Sequence, residues 1–245
     1  MGKSIILGLL IVTNVLYGQD CQKELLHIYE HSLQVFENCE KAIHIKYSVA
    51  QKRNDNQYTK EHFQLISDQS KQYFIAKDFG VFANDTITIC ISEKDSAIYI
   101  GKTLSPEIKS GRVKNMLNVD YRIFDQLNVE RCERLESGEK KLILSCPIES
   151  QELLGIQQVT YVFDPTEKQI MQAHMVFEES ALIQETDILI EKHIFDSTHP
   201  YLKKTPLDFI LNNSGNIQKK YEHYEFIEIG TGRNLVQGLK NKKTS

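Results

Sequence analysis

Tryptophan is absent from this chain of 245 residues, and only five prolines occur in it. No stretch is rich in Pro, Gly or Ser, and no repeat of fixed period emerges. Beyond the N-terminus no apolar run reaches the about 20 residues that a spanning helix needs. Together these absences exclude a linker-joined array, a solenoid and a bundle of membrane helices. The chain also lacks the common catalytic signatures. There is no Gly-x-Ser-x-Gly elbow, no phosphate loop, no dinucleotide fingerprint and no His-Glu-x-x-His. "GTGR" at Gly230 to Arg233 is too short for a phosphate loop and reads as a turn before the tail. The cysteine spacings fit neither zinc nor Cys-x-x-Cys chemistry. With 29 basic against 33 acidic residues, a formal net charge of −4 gives no reason to expect nucleic acid.

The N-terminus is more informative. "MGKSIILGLLIVTNVLYGQD" carries Lys3, an apolar run from Ile5 to Leu16 interrupted by Asn14, and then Gly18. This is the three-part pattern of a secretory signal, expected over residues 1–19 with cleavage near Gly18 or Gln19. Residues 20–245 then form a single domain with a short basic tail, "LKNKKTS", in a periplasmic or extracellular setting. Membrane contact would be peripheral at most. A cysteine just after an apolar signal invites lipidation at Cys21, but Asp20 argues against it. Five cysteines (Cys21, Cys39, Cys90, Cys132 and Cys146) leave one over unless two molecules join or one is lipidated. Cys132 and Cys146 flank the turn "LESGEKK", although a two-residue turn at Ser137-Gly138 puts them out of register, so the pairing stays open.

Hydrophobic periodicity supplies the architecture. "CQKELLHIYEHSLQVFENCEKA" repeats apolar residues at three- and four-residue spacing through Leu25, Tyr29, Leu33 and Phe36, which predicts a helix. The period then becomes two: Ile43, Ile45, Tyr47 and Val49 alternate with His44, Lys46, Ser48 and Ala50, a half-buried strand. Further strands follow at short intervals, too close in sequence to pair in parallel. A second helix is predicted between Ser105 and Leu127, with Pro106 in its first turn, and a short third one at "TPLDFIL". The whole reads as an α+β fold, one large curved antiparallel sheet of about ten or eleven strands packed around two or three helices.

Candidate chemistry is sparse. His27 and His31 stand one helical turn apart but only border the apolar stripe, so a solvated helix edge is expected and no metal is assigned. Glu178-Glu179 and Glu185 with Asp187 read as a charged loop, since adjacent strand residues point to opposite faces. Nothing assembles a nucleophile, a base and an oxyanion site, so the chain is read as non-enzymatic and without a cofactor. The hairpin "VTYVFDPTEKQIMQAHMVF" stands out instead. Val159, Tyr161 and Phe163 alternate on one arm, and Met171, Ala173, Met175 and Phe177 on the other, around a turn at Asp164-Pro165. Such a face is either core or a binding surface, and flexible methionines suit a pocket of variable shape.

The order of a signal, an amphipathic helix and paired strands such as "NDTITICISEKDSAIYIG" and "VTYVFDPTEKQIMQAHMVF" resembles the periplasmic lipoprotein carriers LolA and LolB. The Asp-led turns at Asp95 and Asp164 look like those of that family. The resemblance implies an incomplete antiparallel β-barrel around a hydrophobic cavity that holds lipid, acyl chains or lipoproteins without chemistry. The chain departs from the pattern in lacking tryptophan and an Arg-Pro-x-x-Phe stretch. The resemblance carries over no binding residue, and the hairpin's own apolar pattern makes Tyr161, Phe163, Met171, Met175 and Phe177 the candidates to line such a cavity. The alternative is an envelope accessory protein that binds another protein through an open apolar face.

Overall fold

A computed structural model describes residues 18–32, 34, 42–68, 70–103, 127–147, 155–195 and 198–230. The N-terminal apolar run, Cys39, all but Leu127 of the helix expected from Ser105 onward, and the basic tail lie outside the described residues. Among the described residues twelve strands occur: β1 (Ile43–Arg53), β2 (Tyr58–Ser67), β3 (Gln72–Ile75), β4 (Phe79–Ala83), β5 (Ile87–Ser92) and β6 (Ala97–Lys102) precede residues 104–126. β7 (Asn128–Arg134), β8 (Lys140–Ser145), β9 (Ile156–Asp164), β10 (Gln169–Phe177), β11 (Ile183–Phe195) and β12 (Glu225–Ile229) follow them. They form one sheet in the order β12-β6-β5-β4-β3-β2-β1-β11-β10-β9-β8-β7, which does not close on itself.

The antiparallel expectation holds for consecutive strands from β2 to β6 and from β7 to β11. The last strand departs from it: β12 runs parallel to β6, from Glu225 beside Ala97 to Ile229 beside Gly101. A parallel partner is possible here because a long stretch of chain separates the two strands. Gly101 marks the closest approach, since a Cβ there would lie 2.7 Å from the carbonyl oxygen of Ile229.

The described residues do not hold the expected two or three helices. Among the described residues there is one α-helix, α1, over residues 18–32. "TPLDFIL" forms only the 3-10 turn Pro206–Phe209. Leu211 is drawn into an antiparallel bridge with Ile217, which ends the helical run after a single turn. No helix among the described residues is long and apolar enough to cross a membrane.

The chain divides into two compact units. The first comprises Met1–Val35, Tyr47–Glu61 and Val113–Glu191. Its core joins Cys21, Leu25 and Ile28, one stripe of α1, to Leu142 and Leu144 of β8 and Val159, Tyr161 and Phe163 of β9. A disulfide ties Cys21 of α1 to Cys132 of β7, with their Cα atoms 6.5 Å apart. The β7–β8 register explains why Cys132 does not meet Cys146: Cys132 stands opposite Leu142. The bridge also occupies the thiol that a lipid anchor at Cys21 would require. Gly138, at φ +105°, makes the tight β7–β8 turn, in which its N–H donates to the Leu135 carbonyl.

The second unit comprises Phe36–Lys46, His62–Arg112 and Lys192–Ser245. Ile66, Tyr73, Phe82, Ile89, Ile98 and Ile100 supply the strand side of its core. Ile210, Ile217, Tyr221, Tyr224 and Phe226 close over them from the C-terminal segment. Tyr224 Oη donates to Glu93, and this bond pushes the phenol up to about 12.

Candidate functional site

The β9–β10 hairpin of the first unit forms as its sequence predicts. Asp164 Oδ1 accepts from the backbone N–H groups of Thr166 at 2.7 Å and Glu167 at 3.1 Å, and Lys168 turns the chain at φ 51°. Ala173 stands opposite Tyr161, Met175 opposite Val159, and Phe177 opposite Ile156. Ala173, Tyr161, Met175 and Val159 therefore share one face of the sheet, and the register shifts between Val176 and Phe177.

The two arms are covered unequally. On β9, Val159, Tyr161 and Phe163 are buried and alternate with half-buried residues. Tyr161 meets Tyr29 of α1 edge to face, with centroids 6.2 Å apart. Burial, and then Tyr29, raise its phenol well above the ordinary tyrosine range. On β10 all nine residues are half-buried and none is fully enclosed. Ile170, Ala173 and Met175 pack against the core from its edge.

The structure thus separates the five residues singled out in the sequence. Tyr161 and Phe163 lie in the core, Met175 packs against it, and Phe177 is half-buried beyond a register shift that follows Val176. Met171 falls out of the alternation. The register passes from Ile170 opposite Phe163 to Gln172 opposite Val162, so Met171 is the extra residue of a β-bulge. Two residues there stand against one, so Met171 falls between Ile170, on the core face, and Gln172, which lies opposite Val162 on the other face.

That other face is polar. Gln172 donates to Asp187 at 2.7 Å, His174 lies 4.0 Å from the same carboxylate, and Lys52 pairs with Glu185 at 2.9 Å. Glu185 and Asp187 thus belong to strand β11 and not to a charged loop, and cross-strand partners hold them. Among the described residues no group of three or more His, Cys, Asp or Glu is placed to hold a metal. His27 is exposed and His31 half-buried on α1, and Glu24 pairs with Lys140 at 2.6 Å.

The second unit holds a cluster that periodicity does not reveal. His44 was expected on the wet side of β1, yet it is only 5% exposed. The segment after β11 brings His199 over it, with ring centroids 4.6 Å apart and an edge-to-face angle of 70°. The amide nitrogen of Gln64 lies 2.9 Å from Nε2 of His44 and 3.3 Å from Nε2 of His199. Nδ1 of His199 accepts from the backbone N–H of Tyr201 at 3.2 Å, so a neutral His199 carries its proton on Nε2. At the shorter distance the Gln64 N–H donates to Nε2 of His44, which accepts when the ring carries its proton on Nδ1. Burial, then His199, Lys192 and Lys46, lower the titration of His44 to about 4. Burial, then Lys46 and Lys192, lower that of His199. A polar residue at each of three distant positions was the only signal in the sequence. Their meeting depends on the path of the chain after β11.

No protein-family model matches this chain, and no curated protein sequence matches it. Solved structures do resemble it. An uncharacterized conserved protein from Thermus thermophilus is 9% identical, covers 84% of this chain and 98% of its own, and superposes at a TM-score of 0.44. A LolA superfamily protein from Nitrosomonas europaea is 8% identical over 68% of this chain and 91% of its own, at a TM-score of 0.28. MucB, solved in complex with MucA(peri), is 9% identical over 74% of this chain and 58% of its own, at a TM-score of 0.38.

Proposed function

We propose that this chain is an exported, non-enzymatic binding or carrier protein that takes up lipid or acyl groups on the apolar face beside β10. One observation carries the reading: the face shared by the two arms is buried along β9 and only half covered along β10. Ile170, Ala173 and Met175 continue the apolar surface of Val159, Tyr161 and Phe163 to where cover is incomplete. Leaving apolar surface in water costs roughly 25 cal/mol per Å², so an acyl chain laid there gains what the fold leaves uncollected. Met175 adapts to chains of differing shape. Export is supported by the N-terminal apolar run after Lys3 and by the Cys21–Cys132 disulfide, a bond that persists in oxidising compartments.

The test is direct. Protein purified from cells is extracted for lipid, and an environment-sensitive apolar dye is titrated in and displaced with a fatty acid. The reading requires co-purifying lipid or competitive displacement, and it requires Met175→Asp to weaken dye binding. Absence of both lipid and displacement sinks it.

A second reading, an envelope accessory protein with a protein partner, is favoured by a different observation. Tyr58 and Leu182 are 71% and 57% exposed, and the Leu182 carbonyl accepts from the backbone N–H of Asn54 in the adjoining turn. Replacing both with serine separates the readings: loss of a co-purifying protein with dye binding intact favours the accessory role.

A further inference from the structure

The segment following His199 is a strap across the aromatic face of the second unit. It runs through the 3-10 turns Pro200–Lys203 and Pro206–Phe209. Phe209 stacks on Phe82 with centroids 3.9 Å apart and meets Tyr73 at 5.2 Å, and Tyr201 closes on Phe209 edge to face at 5.2 Å. Lys71 Nζ donates to the Leu202 carbonyl, and Tyr73 Oη donates to that of Lys204 at 2.7 Å. Thr205 and Asp208 bind each other within the strap, the Thr205 N–H donating to the carboxylate at 2.7 Å. At the strap's start, His199 is both the cap of the first turn and the partner of His44 and Gln64.

We propose that His44, Gln64 and His199 form a pH-sensitive latch, which holds this strap closed while both imidazoles are neutral and releases it on acidification. The arrangement tolerates no added proton. Protonated, His199 loses the Nδ1 lone pair that accepts the Tyr201 N–H, so the cap of the first turn goes with it. Two imidazoliums would also stand with centroids 4.6 Å apart. The charges acting on His44 are those of His199, Lys192 from β11 and Lys46 from β1, all of one sign. His62, two residues before Gln64 on the same side of β2, is exposed. On the strap itself Lys204 rides over the rings of Tyr201 and Phe209, at 5.4 Å and 5.3 Å from their centroids. A second proton in this surrounding is accommodated by separation. The mobile partner is the strap, because His44 belongs to a strand in the body of the sheet.

Release would expose Phe209, Phe82 and Tyr73, an aromatic face that the closed strap covers. The latch uses none of the residues of the lipid-binding face proposed in the first unit, so either proposal can fail without the other.

Hydrogen exchange of the full chain, read by mass spectrometry at pH 7 and pH 5 and corrected for intrinsic exchange, tests it. Peptides over residues 199–211 should lose protection about twentyfold between the two, the linkage ratio for one imidazole that titrates at about 4 latched and 6.5 released. Strands β5 and β6 should hold theirs. The double variant His44→Gln, His199→Asn keeps an acceptor for the Tyr201 N–H without the ionisable rings and should keep its protection at pH 5. Equal loss in the variant and the wild type, or no loss in the wild type, overturns the latch. Should the variant fail to fold, an NMR titration of the wild-type histidines decides. Rings of His44 and His199 that titrate at or above 6.5 overturn it, and rings that titrate well below, with loss of the Leu202 amide signal on protonation, support it.

Discussion

Phe163 and Met171 stand close together in one hairpin and look alike in the sequence, but they hold different places. Phe163 is fully enclosed, and Phe163→Ala should cost about 3–5 kcal/mol in chemical denaturation, the usual loss for a buried ring. Met171 sits in the bulge, half-buried, and Met171→Ala should cost about 1 kcal/mol or less. Equal losses would place both in the same core. His44 gives a prediction of the opposite kind, one of pH. Its folded-state titration at about 4 lies below the unfolded 6.5, so the unfolded chain binds more protons between those values. The stability that His44 contributes is therefore complete above about pH 6.5 and is lost as pH falls towards 4. Denaturation midpoints measured across that window should decline in the wild type and decline less in His44→Gln. Neither distinction was legible in the sequence. Alternation assigns a residue to a face but not to a bulge, and it marked His44 as solvent-facing because His199 lies far along the chain.

At the scale of elements, strands were legible where local pattern and cover agree. β9 alternates in burial as its sequence alternates in polarity, and its turn is built by the Asp164 carboxylate and the residues that immediately follow it. The third expected helix failed because a few apolar residues after a proline suit one turn as well as three, and the Leu211–Ile217 bridge chose the shorter. The direction of β12 was not legible in the sequence. Its parallel place beside β6 depends on Gly101 allowing the Ile229 carbonyl to come close. Gly101→Val should free that strand: exchange protection of Glu225–Ile229 should drop, with an overall loss of about 1–3 kcal/mol. Unchanged protection would mean that the close approach relaxes at no cost.

At the scale of the molecule, the bridge between Cys21 and Cys132 closes a loop with a sequence separation of 111 residues. Replacing both cysteines with alanine should lower stability by about 2–5 kcal/mol, checked by denaturant unfolding of oxidised protein and variant. A variant as stable as the parent would show that the bridge does not constrain the unfolded chain. The sequence by itself determined the strand-rich composition, the helix α1 and the hairpin with its apolar face, because periods of two and about 3.6 residues are local properties. It also determined that export was to be expected, since a signal is read as linear text. Only the tertiary structure decided which cysteines pair, that β10 is less covered than β9, and that His44 meets His199. Each of these depends on contacts between residues distant in sequence, whose geometry no local period encodes.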